Sequence, residues 1–309
     1  MQFFKTPNID FISKRRVAYF ISGGLILAGL ISLFINHGPN LGIDFRGGTE
    51  IVIRFEQPMN IGDLRSVLET GLIGSSEIKS IGTRNEFLIY VKQQRNISTS
   101  DVTDNIKDQL AKSMSDIGYE IRKVDTVGPK IGEELRKAMI FAILLALLLI
   151  LIYVGWRFEL IFSVGAIIAL FHDVLITLGI FSMLRIEISL KEIAAFLTIV
   201  GYSLNDTIVV YDRIRENLKV LRSEELNTII NKSINEVLSR TVITSLTTFI
   251  VVLILFLFGG EVLHGFAFAM LVGVVVGTYS SIFVASPLVF EWQARHGGKQ
   301  RLRMAKKKK

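Results

Sequence analysis

The chain contains no cysteine, which removes every disulfide framework and every thiolate metal site. Proline is scarce, five in 309 residues, so few breaks interrupt long helices. Charged residues are 20% of the chain against 50% hydrophobic ones, and mean hydropathy is +0.48. Disordered and collagen-like chains have a different balance. Signatures of covalent chemistry are absent as well: there is no phosphate-binding GxxxxGK[ST], no HExxH and no GxSxG. The sequence therefore predicts no enzyme, no cofactor and no metal, and any work must draw on a partner or an ion gradient.

What is present is apolar sequence in long blocks. A membrane-crossing helix needs about 20 mainly apolar residues. Six stretches meet this, at 17–36, 138–156, 160–184, 190–211, 241–260 and 266–290. Net charge is +7, and the positive residues gather at the ends of these stretches. Membrane orientation explains that pattern before nucleic acid does. Lys5, Lys14, Arg15 and Arg16 precede the first span, at 1–16. Arg213, Arg215, Lys219, Arg222 and Lys232 fill the segment 212–240, and a basic tail occupies 291–309. Six crossings put all three on one side, read as the cytoplasm, with both termini there. The first span resembles a signal sequence but is too long for a cleaved one, so an uncleaved anchor is expected. Segment 212–240 has Ile214, Leu218, Ile229, Ile230 and Ile234 near helical spacing, which predicts one or two amphipathic helices on the membrane surface. The terminal KKKK reads as an anchor to anionic lipid.

The block 37–137 lies outside, and it is patterned. Thr49–Phe55 alternates as a strand, and Ile61, Leu64, Val67 and Leu68 have helical spacing. Ile78–Thr83 and Phe87–Lys92 read as two strands joined through Arg84-Asn85-Glu86. Val102, Ile106 and Leu110 share a helix face, with Thr99 or Ser100 as the cap, and Tyr119–Val127 alternates again. The order βαββαβ predicts a small α+β ferredoxin-like domain, periplasmic, between helices 1 and 2 of a six-helix polytopic membrane protein.

Two glycine motifs flank this domain. The first contains Asp44, Arg46, Gly47 and Gly48; the second contains Gly128, Pro129 and Gly132. The plain reading is turns, since Gly47-Gly48 permits positive φ. In the second motif Pro129 stops strand pairing and the glycines loosen the chain. The functional reading is a hinge for the outside domain.

Ionisable residues inside the spans carry the strongest signal. An Asp at the centre of a spanning helix costs roughly 2.5–3.5 kcal/mol on insertion scales. Asp206 stands about one turn from the cytoplasmic end of the fourth span, between Asn205 and Thr207, with Thr198, Tyr202 and Asn205 continuing a polar stripe. It either has a task or snorkels to the interface. Arg240 opens the fifth span, where Thr241, Thr244, Ser245, Thr247 and Thr248 make a hydroxyl-rich start. Arg240 is a positive-inside anchor on its own, or a partner for Asp206 if drawn inward. His172 and Asp173 sit mid-way along the third span. A structural or accessory role is favoured over a proton relay. As adjacent residues they are expected to point about 100° apart.

Taken together, GIDFRGGT, VGPKIG, HDV, SLNDTIVVYDRIREN and LSRTVITSLTT in a one-span, domain, five-span layout resemble the SecF half of the bacterial SecD/SecF protein-export family, relatives of the RND transporters. The resemblance covers about residues 12–290. It implies a subunit that uses the proton-motive force with SecD to complete Sec-dependent preprotein translocation. The partners it implies are SecD, the SecYEG channel, YajC and an unfolded preprotein, besides membrane lipid and without nucleic acid. It implies the bacterial inner membrane as the location. It places the family's intramembrane Asp on Asp206 and its Arg on Arg240 as the proton-coupling pair. Arg46 departs from the Lys of many relatives and keeps the charge. Two other readings remain open: a half-transporter for a small molecule or lipid, and a scaffold subunit that only holds SecD.

Overall fold

The computed structural model describes residues 7–69, 76–81, 85–92, 99–113, 117–157 and 159–295. The chain divides into two compact units, Leu41–Phe141 and the remainder.

The first unit opens with a single helical turn, α2 (Ile43–Arg46), after the span α1 (Arg15–Ile35). A βαββαβ run follows: β1 (Gly48–Phe55), α3 (Ile61–Glu69), β2 (Glu77–Ser80), β3 (Glu86–Val91), α4 (Thr99–Ser113) and β4 (Tyr119–Val127). The sheet order is β2-β3-β1-β4 with all neighbours antiparallel, so the two βαβ halves interleave as the sequence pattern predicted. Alternation in β1 turns Ile51, Ile53 and Phe55 to one face. They meet Phe87 and Ile89 of β3, Leu64 and Leu68 of α3, and Val102, Ile106 and Leu110 of α4 in one apolar core. Each such burial is worth about 1.5–3 kcal/mol. A bulge at Arg122 lets Val52 face Lys123 while Ile53 faces Ile121. Most of the turn after β2, and the side chains of Thr99 and Ser100, lie outside what is described.

The second unit is helical. Among the described residues six helices are long and apolar enough to cross a membrane. They are α1, α5 (Pro129–Arg157), α6 (Leu160–Met183), α7 (Leu190–Val220), α8 (Leu226–Phe258) and α9 (Glu261–Ser280), the last continuing through a π turn at Ser281–Ala285 to Arg295. Small residues set the crossings. A Cβ on Gly29 of α1 would stand 2.7 Å from the Cα of Gly179 on α6, and Ser32 and Ser182 bond across the same contact at 2.9 Å. A Cβ on Gly277 of α9 would stand 3.0 Å from the Cβ of Ser203 on α7. Helix α7 starts with a capping box in which Ser189 and Glu192 satisfy each other's backbone groups.

The 212–240 segment differs from the sequence expectation. It forms no separate surface helices. Instead it extends α7 and α8, joined by a short turn at 221–225. Their apolar faces find a better cover than lipid: Ile214, Ile230 and Ile234 are buried in one cluster with Phe11 and Ile12 of the N-terminal arm. Polar groups pair across the same seam, Arg213 Nε with Glu236 at 2.6 Å and Asn217 with Ser233 at 3.0 Å. Asn231 and Asn235 of α8 accept the backbone N–H groups of Ile9, Phe11 and Ile12, which ties the arm down.

Candidate functional site

The glycine motifs lie against each other. Gly47 and Gly48 have φ of +68° and +127°, conformations in which a side chain is strained. A Cβ on Gly132 would approach the Gly47 nitrogen to 3.1 Å, so Gly132 is there for close backbone contact rather than for slack. Pro129 does end the strand, but it does so by opening α5 at its first position, with only Gly128 between β4 and the helix. Tyr90 donates to the Gly47 carbonyl at 2.8 Å, and Arg46 stacks over the Tyr90 ring while pairing with Glu77. Asp44 lies in the first turn of α2.

Asp206 is mid-helix on α7 and 3% exposed. Its carboxylate accepts from Ser245 of α8 at 3.3 Å, and Ser245 in turn accepts from Thr278 of α9 at 2.7 Å. Three helices thus converge on it through hydroxyls. Among the described residues no cation forms an ion pair with Asp206. Arg240 opens the apolar part of α8, is exposed, and makes no ion pair among the described residues. The hydroxyls of Thr207 and Thr241 are buried without a hydrogen-bond partner among the described residues. Thr244 spends its hydroxyl on the carbonyls of Arg240 and Thr241 in its own helix, so Ser245, not Thr244, reaches the acid. The polar stripe also divides. Thr198 and Asn205 are exposed, whereas Ser203, Asp206 and Thr207 face inward.

The second acid is more enclosed still. His172 and Asp173 do not diverge: His172 Nδ1 lies 2.8 Å from Asp173 Oδ1, because side-chain torsions bring two neighbouring polar ends together where the helix angle separates their Cβ atoms. Asp173 is 1% exposed. Its other oxygen accepts from Ser203 of α7 and from Ser280 of α9 at 2.7 Å. His172 Nε2 meets Ser22 of α1 at 2.8 Å, Ser22 meets Tyr279 at 3.1 Å, and Tyr279 donates to the Ala18 carbonyl at 2.8 Å. Four helices share this network. The sequence pattern does not single out Ser22, Tyr279 and Ser280, for which lone hydroxyls in apolar runs are the available signal. The π turn begins directly after Ser280, and the carbonyl of Ala285 at its end accepts from the buried Tyr211 hydroxyl at 3.0 Å.

Asp173 and Asp206, enclosed between apolar helices, together with an independently cored α+β unit, define a multi-pass membrane protein with intramembrane acid sites. Residues 106–295 match the family described as protein export membrane protein SecD/SecF, C-terminal, and residues 31–59 match the SecD/SecF GG motif. The protein translocase subunit SecF of Rhodothermus marinus is 46% identical over 99% of this chain and all of its own length. That of Magnetococcus marinus is 49% identical over 93% of both chains. The solved structure of SecDF, a translocon-associated membrane protein from Thermus thermophilus, superposes with a TM-score of 0.84 at 41% identity, over 93% of this chain. This chain spans 39% of that solved chain. A SecDF structure in a super-membrane-facing form matches with a TM-score of 0.72 at 40% identity, over 98% of this chain and 41% of its own. The chain belongs to the SecF family of protein translocase subunits.

Proposed function

We propose that this subunit works with a SecD partner beside the SecYEG channel and YajC in the bacterial inner membrane, using the proton-motive force to draw unfolded preproteins outward. Asp206 carries the reading. It is a carboxylate shut among three helices, held by one hydroxyl and paired with no cation among the described residues. Protonation removes its charge, and deprotonation makes it seek a donor, so each state favours a different packing of α7 against α8. Arg240, exposed at the start of the apolar run, is the donor that an inward shift would bring to it. A proton crossing 100 mV yields about 2.3 kcal/mol, comparable to a typical coupling free energy of about 1–3 kcal/mol.

The exposed stripe of Thr198 and Asn205 on an otherwise apolar helix supports a seat for a SecD helix. The motif of Asp44, Arg46, Gly47 and Gly48, set against Gly128, Pro129 and Gly132, supports a hinge with a single free residue, Gly128. In this reading both termini are cytoplasmic, the α+β unit is periplasmic and no covalent reaction is catalysed. Replacing Asp206 by Asn should abolish the gradient-dependent part of export while SecD still co-purifies. Loss of the complex itself would instead make Asp206 a scaffold contact.

A further inference from the structure

The hydrogen inventory of the His172 network leads past the function above, and it does not rest on the assignment of Asp206. Four contacts run in series: Asp173 Oδ1 to His172 Nδ1, His172 Nε2 to Ser22, Ser22 to Tyr279, and Tyr279 to the Ala18 carbonyl. A carbonyl only accepts, so the Tyr279 hydrogen is committed to Ala18. Ser22 has one hydrogen, and a neutral imidazole has one. Four contacts therefore share three hydrogens. If Ser22 donates to Tyr279, then His172 Nε2 must donate to Ser22, and Nδ1 has a hydrogen for Asp173 only when the pair has taken up a further proton. The far oxygen of Asp173 does not compete, because it accepts from Ser203 and from Ser280, whose hydroxyl stands closer to it, at 2.7 Å, than to the Gly277 carbonyl, at 3.1 Å.

Charge points the same way. A neutral imidazole beside a carboxylate leaves one negative charge enclosed. The helices packed there also carry Tyr19 on α1, Glu192, Tyr202, Asp206, Tyr211, Asp212 and Glu216 on α7, and Glu261, His264 and Tyr279 on α9. α6 and α9 carry no Lys or Arg, and those of α1 and α7 stand within about two turns of a helix end. One added proton makes the pair neutral overall, as imidazolium–carboxylate or as imidazole–carboxylic acid, and uncompensated charge in an apolar interior is what such sites avoid.

We propose that His172 and Asp173 form a proton-binding site distinct from Asp206, one that holds a proton beyond neutral imidazole and carboxylate and thereby closes the network joining α1, α6, α7 and α9. The site is linked to Asp206 by position: Ser203 stands one turn before Asp206 on α7, and Ser280 stands two residues after Thr278 on α9. A change in either acid is felt by the same two helices.

The test is nitrogen-15 magnetic resonance of histidine in the intact complex with SecD, in lipid. Subtracting the spectrum of a complex carrying His172→Gln isolates His172 and cancels every other histidine. Infrared difference spectra of wild type against Asp173→Asn isolate the carboxyl group. The proposal expects either an imidazolium at His172 or a protonated acid at Asp173 at neutral pH. It also expects Ser22→Ala to move loss of that proton to lower pH, since removing Ser22 leaves two contacts for two hydrogens. Should His172→Gln fail to assemble, the resonance displaced by Ser22→Ala identifies the same ring. A singly protonated imidazole beside an ionised Asp173 throughout the pH range, or no response to Ser22→Ala, overturns it.

Discussion

At the scale of single residues, the membrane unit is organised by hydrogen-bond accounts that must close without water. Tyr211 is fully buried, and its hydroxyl donates to the Ala285 carbonyl at the end of the π turn. Tyr211→Phe should cost about 0.5–1.5 kcal/mol through the lost hydrogen bond, read as earlier unfolding in mixed detergent. Asp10 acts outside the membrane. It accepts from the Ser13 backbone N–H and from Asn231, and the Ser13 bond is the chief reason its carboxyl sits below the usual range. A depressed carboxylate stabilises above the ordinary Asp range and loses that contribution as pH falls through its lowered folded value. Acidification should therefore release the N-terminal arm, seen as faster proteolysis before Arg15, and Asp10→Ala should release it at neutral pH. Of the residues themselves, Asp206 was legible in the sequence because an acid in an apolar run stands out. Its true partner was not. Thr244 and Ser245 are adjacent in sequence, and only the rotation of α8 decides which of them faces inward.

At the scale of elements, periodicity was sufficient where one face is buried by local partners. The four strands and two helices of the α+β unit follow from alternation in Thr49–Phe55 and Tyr119–Val127 and from the spacing of Leu64, Leu68, Ile106 and Leu110. Ile106→Ala, which empties the centre of that core, should destabilise the unit by about 2–5 kcal/mol, measured by amide exchange across β1 and β3. Periodicity misled at 212–240, because an amphipathic face does not say whether lipid or protein covers it. The cover comes from Phe11 and Ile12, more than two hundred residues away in sequence. Glycines were under-read for a related reason. Gly29 and Gly179 are unremarkable in their own segments, yet together they let α1 and α6 touch. Gly179→Leu should separate these helices and lower recovery of the assembled complex, whereas Gly23→Leu, where a Cβ meets nothing within 4 Å, should not.

At the scale of the whole molecule, the two units answer different demands. The α+β unit has its own core, and the helical unit encloses Asp173 and Asp206, acids that an apolar interior tolerates only with protons or donors supplied. That division fits a subunit in which ion movement in one unit sets the state of another. The most direct measurement compares Asp206→Glu and Asp206→Asn in sealed vesicles, following preprotein export with the proton gradient intact and collapsed. The account predicts that Glu retains part of the gradient-driven stimulation and that Asn retains none, at equal amounts of complex. Full stimulation in Asp206→Asn would contradict it.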